Sequence, residues 1–151
     1  MVEFPFYKQE TKYTCGAAAM RMALEFCGIK KTENRVAKLL GTNKVRGTWH
    51  KSFPIVAEKF RLNHISMRDA TIKDLREYRK KGYVIIICFF YPYEKFDHYI
   101  LLKKIGKKYI YFFDPFFEEN YKYLISRFKK VWKSDPRYDN EKRWFFAIKK
   151  Q

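Results

Sequence analysis

The hydrophobic pattern of this chain changes its period once, at Gly82, and that change constrains the fold more than any other feature. Before Gly82, apolar residues mostly recur every three or four positions, the spacing of amphipathic helices. After Gly82 they mostly alternate with polar residues, which is typical of strands. Helices followed by strands predict an α+β fold, with N-terminal helices packed on a C-terminal antiparallel sheet.

Local start and stop signals place the individual elements. Thr71 and Asp74 have the spacing of a capping box, and glycines end several of the helical patterns. Helices are predicted over about 15–27, 33–40, 53–60, 71–81 and 126–133. Strands are predicted over about 62–68, 83–91, 98–105, 108–113, 122–125 and 143–149.

Length and composition narrow the class of protein. The 151 residues predict a single domain over 1–151, and 47% hydrophobic residues exclude a disordered chain. The longest apolar run, Tyr83 to Tyr91, is too short to cross a bilayer, so we expect no transmembrane segment. The N-terminus lacks the pattern of a signal peptide, so we expect a cytoplasmic protein.

The three cysteines differ in their surroundings. Their odd number and the absence of CxxC spacing argue against a disulfide framework or a zinc cluster, so no metal or cofactor is expected. Cys27 and Cys88 fit small buried hydrophobic residues. Cys15 instead follows Thr14, a predicted N-cap, and lies in a first helical turn, where backbone N–H groups and the helix dipole favour a thiolate. Gly16 is expected to keep the surface beside the sulfur clear for a substrate.

A cysteine nucleophile needs a base, and the base needs an orienting group. His98 begins one alternating strand and Asp114 ends the next. A hairpin turning around Gly106 pairs residues whose numbers sum to 212, which places His98 directly opposite Asp114. Asp114 could then hold one ring nitrogen and leave the other for Cys15. The simpler alternative is a strand-end histidine and an ordinary turn aspartate.

Gln9 precedes the cysteine by six residues. Acyl transfer builds negative charge on an oxygen, and a side-chain amide together with the backbone N–H of Cys15 could bind it. The alternative is a solvated loop residue.

These features resemble the papain-like cysteine peptidases, and within that clan the C39 family of bacteriocin-processing peptidases and their stand-alone relatives. The resemblance rests on QETKYTCGAAAMRMAL, LLGTNKVRGTW, LREYRKKGYVIIICFF, DHYILLKKI, YIYFFDPF and LISRFKKVW, in that order. It implies a peptide or protein substrate, with Gln9 as oxyanion donor, Cys15 as nucleophile, His98 as general base and acid, and Asp114 as the orienting residue. Trp132 is expected in the core. Exporter-linked members recognise double-glycine leader peptides, whereas here we expect a basic and aromatic groove.

The net charge of +17 keeps other functions open. Such an excess attracts nucleic acid, acidic membrane surfaces or acidic peptides. A basic binding module for nucleic acid or acidic partner chains is one alternative, and an amidase or a transglutaminase-like acyl transferase is another. A predicted ridge of Arg127, Lys130 and Lys133 favours weak, nonspecific polyanion binding in either case.

Overall fold

A computed structural model describes residues 4–91, 96–117 and 119–151. The helices are α1 (Cys15–Phe26), α2 (Glu33–Leu40), α3 (Ser52–Lys59), α4 (Ile72–Lys80) and α5 (Ile125–Val131). The strands are β1 (Asn63–Met67), β2 (Val84–Tyr91), β3 (Phe96–Ile105), β4 (Tyr109–Phe113), β5 (Tyr121–Leu124) and β6 (Phe145–Lys149). The predicted order of elements is confirmed, with boundaries that differ by at most two residues.

The helix ends follow the local signals in most cases. The Thr71 hydroxyl accepts the Asp74 N–H and the Asp74 carboxylate accepts the Thr71 N–H, so the predicted capping box is present. Gly82 adopts a φ of 89°, which a residue with a side chain rarely tolerates. Thr14 occupies the N-cap position of α1, as predicted, but its side chain makes no capping hydrogen bond. Its hydroxyl instead accepts the Thr11 N–H, at 3.1 Å.

The strands form one sheet in the order β1-β6-β2-β3-β4-β5, and every neighbouring pair is antiparallel. Helices cover both faces of this sheet. α1, α2 and α3 contribute to one hydrophobic cluster with the sheet, and α4 and α5 contribute to the other. The α+β class is confirmed, and the packing extends the prediction, since the later helices form a second layer.

The register of the β3–β4 hairpin differs from the prediction. Near the end of β4, Leu101 pairs with Phe113 and Leu102 with Phe112, so paired numbers sum to 214 rather than 212. The turn runs from Gly106 to Tyr109, and an irregularity between residues 102 and 104 shifts the pairing again. Because side chains alternate between faces with a period of two, a shift of two residues leaves each side chain on the predicted face.

Within the described residues, no helix is both long enough and apolar enough to cross a membrane.

Candidate active site

Cys15 begins α1, as predicted. The first helical hydrogen bond runs from the Ala18 N–H to the Thr14 carbonyl, at 2.9 Å, so Cys15 lies where backbone N–H groups lack a helical acceptor. The thiol is 5% exposed, and its Sγ lies 3.8 Å from the carbonyl oxygen of Asp97 on β3. Packing of the small residues of α1 against β2 and β3 brings the sulfur to the sheet.

His98 and Asp114 form a buried pair. The His98 Nε2 lies 2.6 Å from Asp114 Oδ1, and both side chains are almost fully enclosed. Asp114 lies just past the end of β4, diagonal to His98 rather than directly opposite it. Its Oδ1 also accepts the Phe116 N–H, at 2.9 Å, which fixes the carboxylate. The His98 ring has edge contacts with Phe89 and Phe116, so its orientation is set on several sides.

The surroundings of His98 favour its charged form. Burial lowers the pKa of His98. Hydrogen bonds to Asp114 and Cys15 and the negative charges of both groups raise it by more, so the net pKa is about 10. At neutral pH the ring is therefore an imidazolium that bonds Asp114 through Nε2. The nitrogen that remains is the one that can serve Cys15. Such an arrangement can hold a thiolate beside a proton donor.

The three predicted triad residues therefore come together. Gln9 is linked to this group through its backbone. Its main-chain N–H donates to the Pro115 carbonyl at 2.8 Å, which ties the segment before α1 to the loop after Asp114. Its side-chain Nε2 donates one hydrogen to the Thr11 carbonyl at 2.7 Å, while Oε1 is buried and has no hydrogen-bond partner among the described residues. The oxyanion role of Gln9 stays a prediction.

Gly16 has a different role from the predicted one. A Cβ built on Gly16 would lie 2.6 Å from Thr48 Oγ1, 2.9 Å from Thr48 Cβ and 3.1 Å from Tyr99 Cδ2. The space beside Gly16 is thus filled by the protein itself. Gly16 permits close packing of α1 and does not leave room for a substrate.

A cavity of about 640 Å³ opens beside Cys15. One wall is the loop between α2 and α3, in which Asn43 pairs with Gly47 as an isolated bridge. The Asn43 Oδ1 accepts the N–H groups of Val45 and Arg46, both at 2.9 Å, so this loop has a fixed backbone. The lining consists of Lys12, Tyr13, Cys15, Lys44, Val45, Arg46, Gly47, Thr48, Asp97, Tyr99 and Phe116.

Beneath the cavity lies a buried polar network that sequence reasoning missed. Arg46 Nη2 is 3.0 Å from Asp97 Oδ2 and also contacts Asp139. His50 is buried, and its Nδ1 lies 2.8 Å from Glu141 Oε1. Although burial opposes the charge of Arg46, the neighbouring Tyr99, Asp97 and Asp139 raise its pKa. Arg46 and His50 are separated from their partners by 51 or more residues, so no local pattern indicates these pairs. The one local signal for the network was Asp97, an aspartate directly before His98.

Parts of this network could present ligands to a metal ion. His50 groups with Cys88 and Asp97, and separately with Asp139 and Glu141, with ligand atoms within 4.8 Å of one another. The Arg46 guanidinium already contacts both aspartates, so a cation would compete with a fixed positive charge. These groups fit an ion-pair network better than a metal centre.

The two remaining cysteines are buried as predicted, and burial raises the pKa of both thiols. Trp132 is also buried, and its Nε1 donates to the Trp144 carbonyl at 2.9 Å. These residues belong to the core.

Comparison with solved structures shows the same fold in peptidase domains. The chain aligns with a structure described as a C39-like peptidase from Bacillus anthracis (14% identity, TM-score 0.77, 98% of this chain and 95% of that one). It aligns with the peptidase domain of Streptococcus ComA, a bifunctional ABC transporter of a quorum-sensing pathway (18% identity, TM-score 0.79, 99% and 100%). It also aligns with a double glycine motif protease from an AMS/PCAT transporter, solved in complex with the leader peptide (19% identity, TM-score 0.74, 97% and 91%).

Sequence comparison is more specific. No protein with a curated description matches the chain. The family model described as "Peptidase_C39 like family" matches residues 1–139, which is most of the chain. The chain therefore belongs to the Peptidase_C39 like family.

Proposed function

We propose that this chain is a cysteine peptidase that hydrolyses peptide bonds through Cys15, His98 and Asp114. The observation that carries the proposal is the buried hydrogen bond of 2.6 Å between His98 and Asp114, with the Cys15 Sγ 3.8 Å from the carbonyl oxygen of Asp97, the residue before His98. A raised histidine pKa beside a thiol at a helix start is the environment that activates a cysteine nucleophile.

Acylation follows from these positions. The Cys15 thiolate attacks the carbonyl carbon of the scissile peptide bond, and the carbonyl electrons move onto the oxygen. The first-turn N–H groups of α1 and the side-chain amide of Gln9 are the proposed donors to that oxyanion. When the tetrahedral intermediate collapses, the C–N bond breaks and His98 gives its proton to the leaving amine. The product is a thioester on Cys15.

Deacylation reverses the role of His98. The now neutral imidazole takes a proton from water, which attacks the thioester and releases the carboxylate product and the thiolate. Asp114 keeps the ring in one orientation and stabilises its positive charge in both half-reactions.

The proposed substrate is a peptide or an extended protein segment. A relative of the same fold was solved with a leader peptide bound, which supports a peptide in the corresponding groove. The cavity beside Cys15 is large enough for side chains of such a segment. Because Cys15, Cys27 and Cys88 are all unpaired, we also propose that the protein works in a reducing compartment, the cytoplasm.

The decisive experiment combines thiol labelling with a peptide digest. Near neutral pH, iodoacetamide should modify Cys15 faster in the wild type than in the His98→Ala variant. Wild-type protein should cleave members of a mixed peptide library, read by mass spectrometry, and Cys15→Ala should cleave none of them. Cys27→Ala is the matched control, which should keep activity and lose only about 1 kcal/mol of stability.

The outcomes separate the alternatives. Cleavage by Cys15→Ala at the wild-type rate would refute the proposed nucleophile. Transfer of an added amine onto the peptides, in place of water, would indicate a transglutaminase-like enzyme. Slow labelling of Cys15, equal in wild type and His98→Ala, would show that the thiol is not activated and would favour a binding module.

A further inference from the structure

The cavity beside Cys15 carries charge on two separate walls. Lys12 lies in the segment before α1 and Lys44 in the loop between α2 and α3, and both side chains are exposed. Neither ammonium group forms an ion pair within the described residues. The opening of the cavity therefore presents two uncompensated positive charges.

The carboxylate that also lines the cavity does not cancel them. Asp97 is 7% exposed, its Oδ2 lies 3.0 Å from Arg46 Nη2, and its Oδ1 accepts the Asp135 N–H at 2.6 Å. Arg46 in turn contacts Asp139, so its charge is balanced below the surface. In the part of the chain that the structure describes, the unbalanced charges in the cavity lining are therefore those of Lys12 and Lys44.

The backbone on both sides is held in place. The Asn43 side chain fixes the loop that carries Lys44, and Gly47 adopts a φ of 79° where that loop turns back. On the other side, the Thr11 N–H donates to Thr14 Oγ1 at 3.1 Å, which closes a short turn around Lys12. Two ammonium groups on fixed turns can pair with a ligand at a small cost in backbone order.

The lining also includes two apolar side chains that are exposed. Val45 is 84% exposed and Phe116 is 46% exposed, and both border the same cavity. A ligand that covers this opening would have an apolar part against those side chains and a negative charge near the lysines.

We infer that the cavity is a subsite for an acidic residue of the peptide substrate, next to an apolar one, and that Lys12 and Lys44 are its specificity-determining residues. This inference rests on the proposed peptidase function, because it assigns the substrate class of the same site. An acidic side chain bound there would hold the neighbouring peptide bond close to Cys15.

A pair of alkylating reagents tests the local charge without a known substrate. Iodoacetate is anionic and iodoacetamide is neutral, and in each the Cys15 sulfur displaces iodide. Since both react with the same thiolate, the ratio of their rates measures the potential at the sulfur. Neutralising Lys12 and Lys44 together as Lys12→Gln/Lys44→Gln should lower the iodoacetate to iodoacetamide ratio by about 4-fold at low salt, roughly 2-fold for each charge.

The control variant removes the same number of positive charges from a different part of the surface. Lys107 and Lys108 lie in the β3–β4 turn, outside the cavity lining. The Lys107→Gln/Lys108→Gln variant should leave the ratio within experimental error of wild type. An equal fall in both double variants would show a general surface effect and overturn the inference, and so would an unchanged ratio in Lys12→Gln/Lys44→Gln. Failure of both reagents to label Cys15 in the folded wild type would instead refute the activated thiol, and with it the proposed function.

Matched peptides test the substrate class directly. Among cleaved library peptides, replacement of Glu by Gln near the scissile bond should raise KM several-fold for wild type. The same replacement should have little effect on KM for Lys12→Gln/Lys44→Gln. Equal KM values for the Glu and Gln peptides with the wild type would refute the acidic subsite while leaving the peptidase intact.

Discussion

Among the residues of the proposed site, His98 has a strongly raised pKa. Its pKa of about 10 depends on two partners from different parts of the fold, the Asp114 carboxylate and the Cys15 thiol. The ring is enclosed by aromatic side chains, so water contributes little to stabilising its charge. Loss of either partner therefore removes a large share of what keeps the imidazolium charged.

The raised pKa of His98 predicts a pH dependence of stability. The ordinary value is 6.5 and the folded value is about 10, so the stabilisation is fully present below about pH 6.5 and is lost as the pH rises through 10. Asp114→Asn should lower the folded pKa of His98 and so reduce this stabilisation. The difference in free energy of unfolding between wild type and Asp114→Asn, from urea denaturation, should shrink between pH 7 and 10.5. A difference that stays constant over this range would contradict the assignment.

Gln9 gives a second prediction for a single residue. If its amide donates to the oxyanion, Gln9→Ala should lower kcat by about 10²–10³-fold, the usual cost of one such donor. Gln9→Glu keeps the size of the side chain and removes the donor, so it should be equally slow. Peptide cleavage assays of both variants measure this, and full activity in Gln9→Ala would place the oxyanion site elsewhere.

Among the elements, the start of α1 is in close contact with the loop before α3, next to Cys15. Gly16 touches Thr48 and Tyr99, and the Tyr99 hydroxyl donates to the Thr48 carbonyl at 2.6 Å. The helix, the loop and β3 therefore meet at one point next to Cys15.

Gly16→Ala is expected to disturb both stability and catalysis. The added Cβ would lie well inside contact distance of Thr48, and overpacking of this kind costs about 1–3 kcal/mol. Thr48→Gly removes the nearest obstructing atoms. The double variant should therefore be more stable than the sum of the two single effects predicts, as measured by urea denaturation. Strict additivity would show that the close contact is not the cause.

The Arg46 network connects three elements that are distant in the sequence. Arg46→Met would leave Asp97 and Asp139 buried without their counter-charge, and breaking such a pair typically costs about 3–5 kcal/mol. Arg68→Met is the control, because the Arg68 side chain is 73% exposed and lies 3.9 Å from Glu141, so its loss should have little effect. Thermal or urea unfolding of both variants measures the difference, and equal small losses would show that the network is not needed for stability.

Local interactions could be predicted from the sequence, whereas contacts between distant parts of the chain could not. Caps such as Thr71 and Asp74 and alternating strands are local signals, and they gave the order of elements. The face of Asp114 was predicted correctly from a wrong register, because the error was an even number of residues. The Arg46 contacts join loops through the folded core, and no local pattern encodes such pairs. The position of the Gln9 amide depends on the same kind of tertiary detail.

Across the whole molecule, the charge of +17 is distributed over many surface lysines and arginines. Arg127 and Lys130 are exposed on α5, as predicted, with Phe128 and Trp132 turned inward. Lys133 lies beyond the end of α5 and is only half-exposed, so the ridge is shorter than predicted. The remaining excess of cations still favours anionic partners in general.

We predict weak binding of single-stranded oligonucleotides that is independent of sequence. Affinity should fall steeply as salt rises, because lysines that neutralise phosphates release bound counterions. Fluorescence anisotropy with labelled oligonucleotides of several sequences, at increasing salt, measures this. Binding that survives moderate salt and distinguishes sequences would support a nucleic-acid-binding module over the peptidase, and no binding at low salt would show that the charge is too dispersed.

The residues of the proposed triad are translated at different times, and His98 and Asp114 come after Cys15. Both residues follow Cys15 by more than 80 positions, and the β3–β4 hairpin must form before Asp114 can orient the His98 imidazole. A nascent chain on the ribosome therefore lacks the His98–Asp114 pair until β3 and β4 have emerged and packed against α1. Under the proposed mechanism, the order of translation delays activity until the sheet has formed.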